Sequence, residues 1–213
     1  LKNRLFNIYD GDAAALPFPS NGDGEQLSSS DPTLPLNWTR LYASSGTAYR
    51  SALPEEAHGG KGSFVTLYDT TNHLLVSETW RGYVPNARYE LSFGGRVQDY
   101  DPDKTPFSGR VSIGTETANG EICKFFFNDK EWARHSFSFF APDSPTAGIR
   151  IRCYSNRNKP SVGSAKAFYN DFVLRPTPRI ADWTFGPGTV PENIRVSSAA
   201  ADRTTADGAG IVI

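Results

Sequence analysis

Hydrophobic and polar positions alternate along this chain in short runs, and the period is two rather than 3.6. "SFVTLYD" (63–69) sets Phe64, Thr66 and Tyr68 against Val65 and Leu67. "LLVSETW" (74–80) follows across "TTNH" and is predicted to be the second arm of a hairpin. "RYELSFGGRV" (88–97) places Tyr89, Leu91 and Phe93 on one face. "GRVSIGTE" (109–116) and "EICKFFFN" (121–128) flank "TANG", a second hairpin signal. "ARHSFSFFAP" (133–142) has Phe137 and Phe139 on one face, and "GIRIRCYS" (148–155) alternates Ile149, Ile151 and Cys153 with Arg150 and Arg152. "KAFYNDFVLRP" (166–176) closes the series. About nine strands at this spacing, broken by Gly, Pro, Asn and Asp and lacking crossover helices, predict an all-β antiparallel sandwich.

One run breaks the rule. In "AFYNDFVLRP" (167–176), Asn170 and Asp171 interrupt an apolar strand with two side-chain oxygens. Either the pair faces water, or it holds a metal ion or a hydrogen-bonding partner.

The ends differ from the middle. Residues 11–37 are rich in Gly, Pro and Ser and read as an irregular but ordered loop. After "RPTPR" (175–179) the alternation stops, so residues 1–176 are expected to form the sandwich and 177–213 an irregular C-terminal appendage, a linker or the start of a following module.

Composition narrows the function. A chain of 213 residues buries a core without help from metals or disulfides. A net charge of −1 argues against nucleic acid, which requires a concentrated basic face. No run of about 18 apolar residues occurs, so membrane insertion is not expected. The chain contains no Met, which leads to the expectation of a piece of a longer protein. Cys123 and Cys153 both lie in strand-like runs, where two buried thiols and a cross-strand disulfide are alternatives.

Signals for catalysis are weak. The histidines His58, His73 and His135 show no metal-ligand spacing, and G-x-S-x-G is missing. Asp99, Asp101 and Asp103 in "DYDPD", with Glu55 and Glu56, read as solvated acidic loops rather than the opposed pair that glycosidases need. The chain is therefore not expected to be an enzyme by itself.

Several pieces, taken in order, resemble carbohydrate-binding modules of the galactose-binding-domain-like jelly roll. "LFNIYDGD" is similar to their N-x-x-F-E-x-G opening, and "LPLNWTRLYASSG" to their P-x-x-W strand. "AHGGKGSFVTLYD", "VSETWRGYVPNARYELSFGGRV", "EWARHSFSFFAP" and the closing "FYNDFVLRP" continue the likeness over about residues 3–176. Glu78 and Asn86 stand where Gln and Gly are more usual, and 98–109 is an insertion. Such modules accompany glycosidases, polysaccharide lyases and phage tail proteins.

The resemblance implies binding without chemistry. A structural calcium often sits beside the first and last strands; Asp10 and Asp171 match that site, "AHGG" offers carbonyls, and Asp12 is a further candidate by proximity. Calcium takes six to eight oxygens, which would explain an acid within an apolar strand. Trp38 and Trp132 match core positions. Sugar would stack on aromatic rings, with a few polar groups for its hydroxyls. The ligand-binding candidates are Tyr49, Arg50, Glu78, Trp80, Tyr83, Arg96, Tyr100, Arg110 and Arg152. Arg96, Arg110, Arg150 and Arg152 on the concave face would suit an acidic glycan, unless these alternate residues simply face solvent.

The expected role is to tether a larger protein to a polysaccharide or cell-surface glycan, secreted or on a virion tail. The rivals are a receptor-binding or adaptor domain of a phage tail fibre or tailspike, which predicts a homotrimer, a small jelly-roll polysaccharide lyase, and a spacer that binds no glycan.

Overall fold

The computed structural model describes residues 15–59, 62–67, 73–99, 109–117, 120–144, 146–155, 165–177, 195–196 and 210–211. Asp10, Asp12, Tyr100, Asp101 and Asp103 lie outside them, as does most of the 177–213 appendage. The chain divides into two units, Leu1–Pro178 and Arg179–Ile213.

The first unit carries β1 (Trp38–Leu41), β2 (Ala48–Ser51), β3 (Ser63–Leu67), β4 (Leu74–Ser77), β5 (Arg88–Gln98), β6 (Gly109–Thr115), β7 (Glu121–Phe127), β8 (Ala133–Phe140), β9 (Ile149–Ser155) and β10 (Lys166–Thr177). They form two five-stranded antiparallel sheets, β1-β4-β9-β6-β7 and β2-β3-β10-β5-β8. The protein is thus an all-β sandwich, as the alternation predicts. In the second unit, β11 (Arg195–Val196) pairs in parallel with β12 (Gly210–Ile211).

The core is built from the apolar halves of the alternating runs. Tyr89, Leu91, Phe93, Ile149, Ile151 and Cys153 all point inward and are buried. Aromatic rings join the sheets: Trp38 meets Phe64 at 4.5 Å between centroids, and Phe125 stacks on Phe137 at 5.7 Å. Each such pair adds about 0.5–1.5 kcal/mol beyond its buried area.

Two expectations are corrected. The runs at 63–69 and 74–80 do not form a hairpin: β3 pairs with β2 and β10, while β4 pairs with β1 and β9 in the opposite sheet. Apolar faces on both runs allow either arrangement, and burial between two sheets prevails. Residues Ala48–Ser51, which carry no clear alternation in the sequence, form an edge strand. The 109–116/121–128 hairpin does form, as β6 and β7.

The Asn170–Asp171 pair marks a β-bulge. The register of β10 against β5 shifts between Asn170 and Val173, and Asp171 has φ of +51°. Ala167 and Tyr169 face inward before the bulge; Phe172 and Leu174 face inward after it. The extra residue thus changes the phase of the strand. Buried Asn170 stitches the irregularity. Its Nδ2 donates to the Gly62 carbonyl at 2.9 Å, and its Oδ1 accepts from the Asp171 N–H at 2.6 Å.

Candidate functional site

Strand alternation decides what the outer face of the first sheet presents. Inward Ile149, Ile151 and Cys153 force Arg150, Arg152 and Tyr154 outward on β9. Inward Val111 and Ile113 do the same for Arg110, Ser112 and Gly114 on β6. Cross-strand register then aligns rows. Tyr154, Arg110 and Phe126 form one row, continued by Leu74 and Leu41. Arg152, Ser112 and Lys124 form the next, continued by Val76 and Thr39. A register shift between Ile113 and Gly114 brings Glu121 into the third row, opposite Gly114 and Arg150. One side of the face is therefore aliphatic and the other aromatic and cationic.

Arg110 is its centre. The guanidinium lies 4.0 Å from the Tyr154 ring centroid and 5.4 Å from that of Phe126. It donates to the Glu121 carboxylate. Glu121 Oε2 also accepts from the Tyr154 hydroxyl at 3.2 Å, and Lys124 Nζ stands 3.3 Å from Oε1. Arg152 crosses over β6 and donates to the Thr115 and Thr117 carbonyls at 2.6 and 2.7 Å. Gly114 leaves room for this crossing: a Cβ there would lie 2.7 Å from the Arg152 Cζ. Arg150 Nε donates to Thr79 Oγ1 at 2.8 Å.

Among the described residues the face carries four cations, Arg110, Arg150, Arg152 and Lys124, against the single carboxylate of Glu121. The crowding shows in the guanidiniums themselves. Burial lowers the pKa of Arg152; Glu121 opposes this, while nearby Arg150 and Arg110 lower it further. Burial also lowers that of Arg110, and Glu121 offsets it.

Of the residues the sequence nominated, Arg110 and Arg152 come together here. Tyr49 and Arg96 lie on the outer face of the other sheet. There Arg96 sits 4.2 Å from the Phe168 ring centroid and 5.6 Å from that of Trp132, and it donates to the Glu55 carbonyl. Tyr49 is hydrogen-bonded to Lys166, and burial raises its pKa. Arg50 donates to the Gly24 carbonyl at 3.1 Å and faces Glu25 at 3.6 Å. Glu78 Oε1 accepts from the Ser20 N–H at 2.8 Å. Trp80 stacks on Phe18 at 5.3 Å and meets Tyr89 edge-on at 5.3 Å. Tyr83 is buried, with its hydroxyl donating to the Ser144 and Ala147 carbonyls.

Sequence reasoning missed Tyr154, Phe126, Lys124, Glu121 and Ser112. The alternation of "GIRIRCYS" already assigned Tyr154 to the arginine face; "EICKFFF" held Glu121, Lys124 and Phe126, and "GRVSIGTE" held Ser112.

Asp171, nominated for calcium, has its Oδ2 3.4 Å from His58 Nδ1. Among the described residues no three His, Cys, Asp or Glu side chains converge. Asp10 and Asp12, nominated with it, lie outside the described residues. Cys123 and Cys153 are free thiols. They lie on β7 and β9, which flank β6. Burial pushes the Cys123 pKa up to about 11 and that of Cys153 well above the thiol range.

The two facing sheets define an antiparallel β-sandwich. No family model matches the chain, and no curated protein matches it. Solved structures do. The CBM22-2 xylan-binding domain of Paenibacillus barcinonensis Xyn10C is 17% identical, covering 73% of this chain and 98% of that one at a TM-score of 0.52. The CBM22-1 domain of the same protein is 15% identical, covering 73% and 91% at 0.50. A Stig cyclase, Fisc from Fischerella sp. TAU, is 16% identical, covering 78% and 98% at 0.52. At these identities the likeness is one of fold.

Proposed function

We propose that this domain binds a polysaccharide on the outer face of the first sheet and performs no chemistry there. In this reading the polysaccharide is acidic, and the domain tethers a larger protein to it. The carrying observation is the row of buried Tyr154, the Arg110 guanidinium that covers its ring, and Phe126, beside a cationic surplus, with aliphatic Leu41 and Leu74 extending the surface. Rings and aliphatic side chains suit the apolar faces of sugar rings. Guanidiniums suit carboxylates, which they engage with paired donors. The two Paenibacillus domains of similar fold, described as xylan-binding, support the glycan class.

The test is affinity electrophoresis of the chain through gels containing neutral or acidic polysaccharides, with product release monitored. Acidic polymers should retard the wild type, and Arg110→Ala should lose most of that retardation without a lower melting temperature. Retention on none would overturn the proposal. The cyclase with this fold makes turnover the competing reading, and release of products from a retained polymer would favour it.

A further inference from the structure

The binding face already contains one carboxylate, and its position is informative. Glu121 reaches the outer face through the register shift between Ile113 and Gly114. There it gathers donors from three strands: the Arg110 guanidinium of β6, the Tyr154 hydroxyl of β9 and the Lys124 ammonium of β7. Such a cluster would receive the carboxylate of an acidic sugar equally well, because an arginine fork and a phenol do not distinguish the source of the oxygen.

Two further polar atoms of this face are left without partners among the described residues. Ser112, between Arg152 and Lys124 in register, is fully buried, and its Oγ has no hydrogen-bond partner among the described residues. Arg110 Nε is also buried without a partner there. Buried polar atoms are ordinarily satisfied, so donor capacity on this face exceeds what Glu121 consumes. The ion pair is open to exchange: the side chains of Arg110 and Glu121 are 20% and 27% exposed. A partly solvated pair is weak, and an external carboxylate can replace one partner at small cost.

We infer that Glu121 is an internal stand-in for the ligand's carboxylate, occupying its donors in the free protein and competing with it during binding. The inference rests on the polysaccharide-binding reading of this face. The ligand carboxylate takes Arg110 and the Tyr154 hydroxyl, while Glu121 turns toward Lys124 and water. Glu121 thereby sets both the affinity for acidic chains and the discrimination against neutral ones.

Calorimetry on the full chain tests this with oligosaccharides of polygalacturonate, alginate and hyaluronan, each beside its carboxyl-reduced counterpart. Glu121→Gln should bind the acidic form about 2- to 5-fold tighter, the range expected for removing one exposed ion pair. The reduced form should be unaffected. Glu121→Asp, whose shorter arm loosens the hold on Arg110, should move in the same direction. Acid binding unchanged or weakened in both variants, at unaltered melting temperature, overturns the inference and leaves the binding reading standing. Wild-type binding of reduced forms alone overturns the inference and the acidic part of the reading, and leaves polysaccharide binding standing. A wild type that holds none of the six overturns both.

Discussion

Asp171 shows how one backbone angle governs a strand. Its φ of +51° is in the left-handed region, where an L side chain other than Asn, Asp or Gly is strained. Asp171→Gly should therefore be neutral or slightly stabilising, whereas Asp171→Val should cost about 1–2 kcal/mol, because a branched Cβ fits that region worst. Urea unfolding of the two variants measures both. Asp31 makes a second prediction. Hydrogen bonds from Thr33 and then Arg40 hold its pKa down at about 2. A depressed folded value stabilises the protein above the unfolded value of about 3.9, and the contribution is lost as pH falls toward 2. Asp31→Asn should flatten the acid limb of a melting-temperature profile between about pH 4 and pH 2 and leave the neutral and alkaline range unaltered in shape.

At the scale of elements, residues 52–59, which follow β2, act as a strap over the second sheet. Phe168 and Val65 face outward from that sheet and are nevertheless fully buried. Three tethers hold the strap down: Trp132 Nε1 donates to the Ala57 carbonyl, Arg96 to the Glu55 carbonyl, and Lys166 Nζ lies 2.5 Å from Glu56 Oε1. Glu56 is buried, so removing the ammonium leaves a carboxylate without its counter-charge. Lys166→Met should cost about 2–4 kcal/mol in chemical unfolding, and adding Glu56→Leu should recover most of it. The hydrogen bond to Glu56 raises the Lys166 pKa. That contribution is complete below the unfolded lysine value of about 10.4 and fades as pH climbs through the higher folded value. Wild-type stability should thus fall above about pH 10.5 more steeply than that of Lys166→Met.

At the scale of the whole molecule, charge is distributed rather than abundant. The chain carries a net charge of −1, yet the outer face of one sheet gathers four cations around one carboxylate. Binding of an acidic chain to that face should weaken as salt rises from 0.01 to 0.15 M, because the screening length shrinks from about 30 to about 8 Å. Binding of a neutral glycan on the same scaffold should hardly change. Calorimetry at the two salt concentrations separates these outcomes. Sedimentation of the same sample gives the mass, and a trimer would favour the tail-fibre alternative.

What the sequence determined by itself was local. Alternation in "RYELSFGGRV", "GIRIRCYS" and "GRVSIGTE" assigned each strand an inner and an outer face, because side chains on a strand point to opposite sides. It placed Arg110, Arg150 and Arg152 outside and the aromatic half of the core inside. Only the tertiary structure decided which strands lie side by side. The separation of β3 from β4, the alignment of Tyr154 with Arg110 and Phe126, and the phase change at Asp171 all depend on partners distant along the chain. Asn170 needs the Gly62 carbonyl, and Glu121 needs the register shift opposite Ile113 and Gly114. A period of two is set within a strand, whereas register is set between strands, by burial that the whole fold shares.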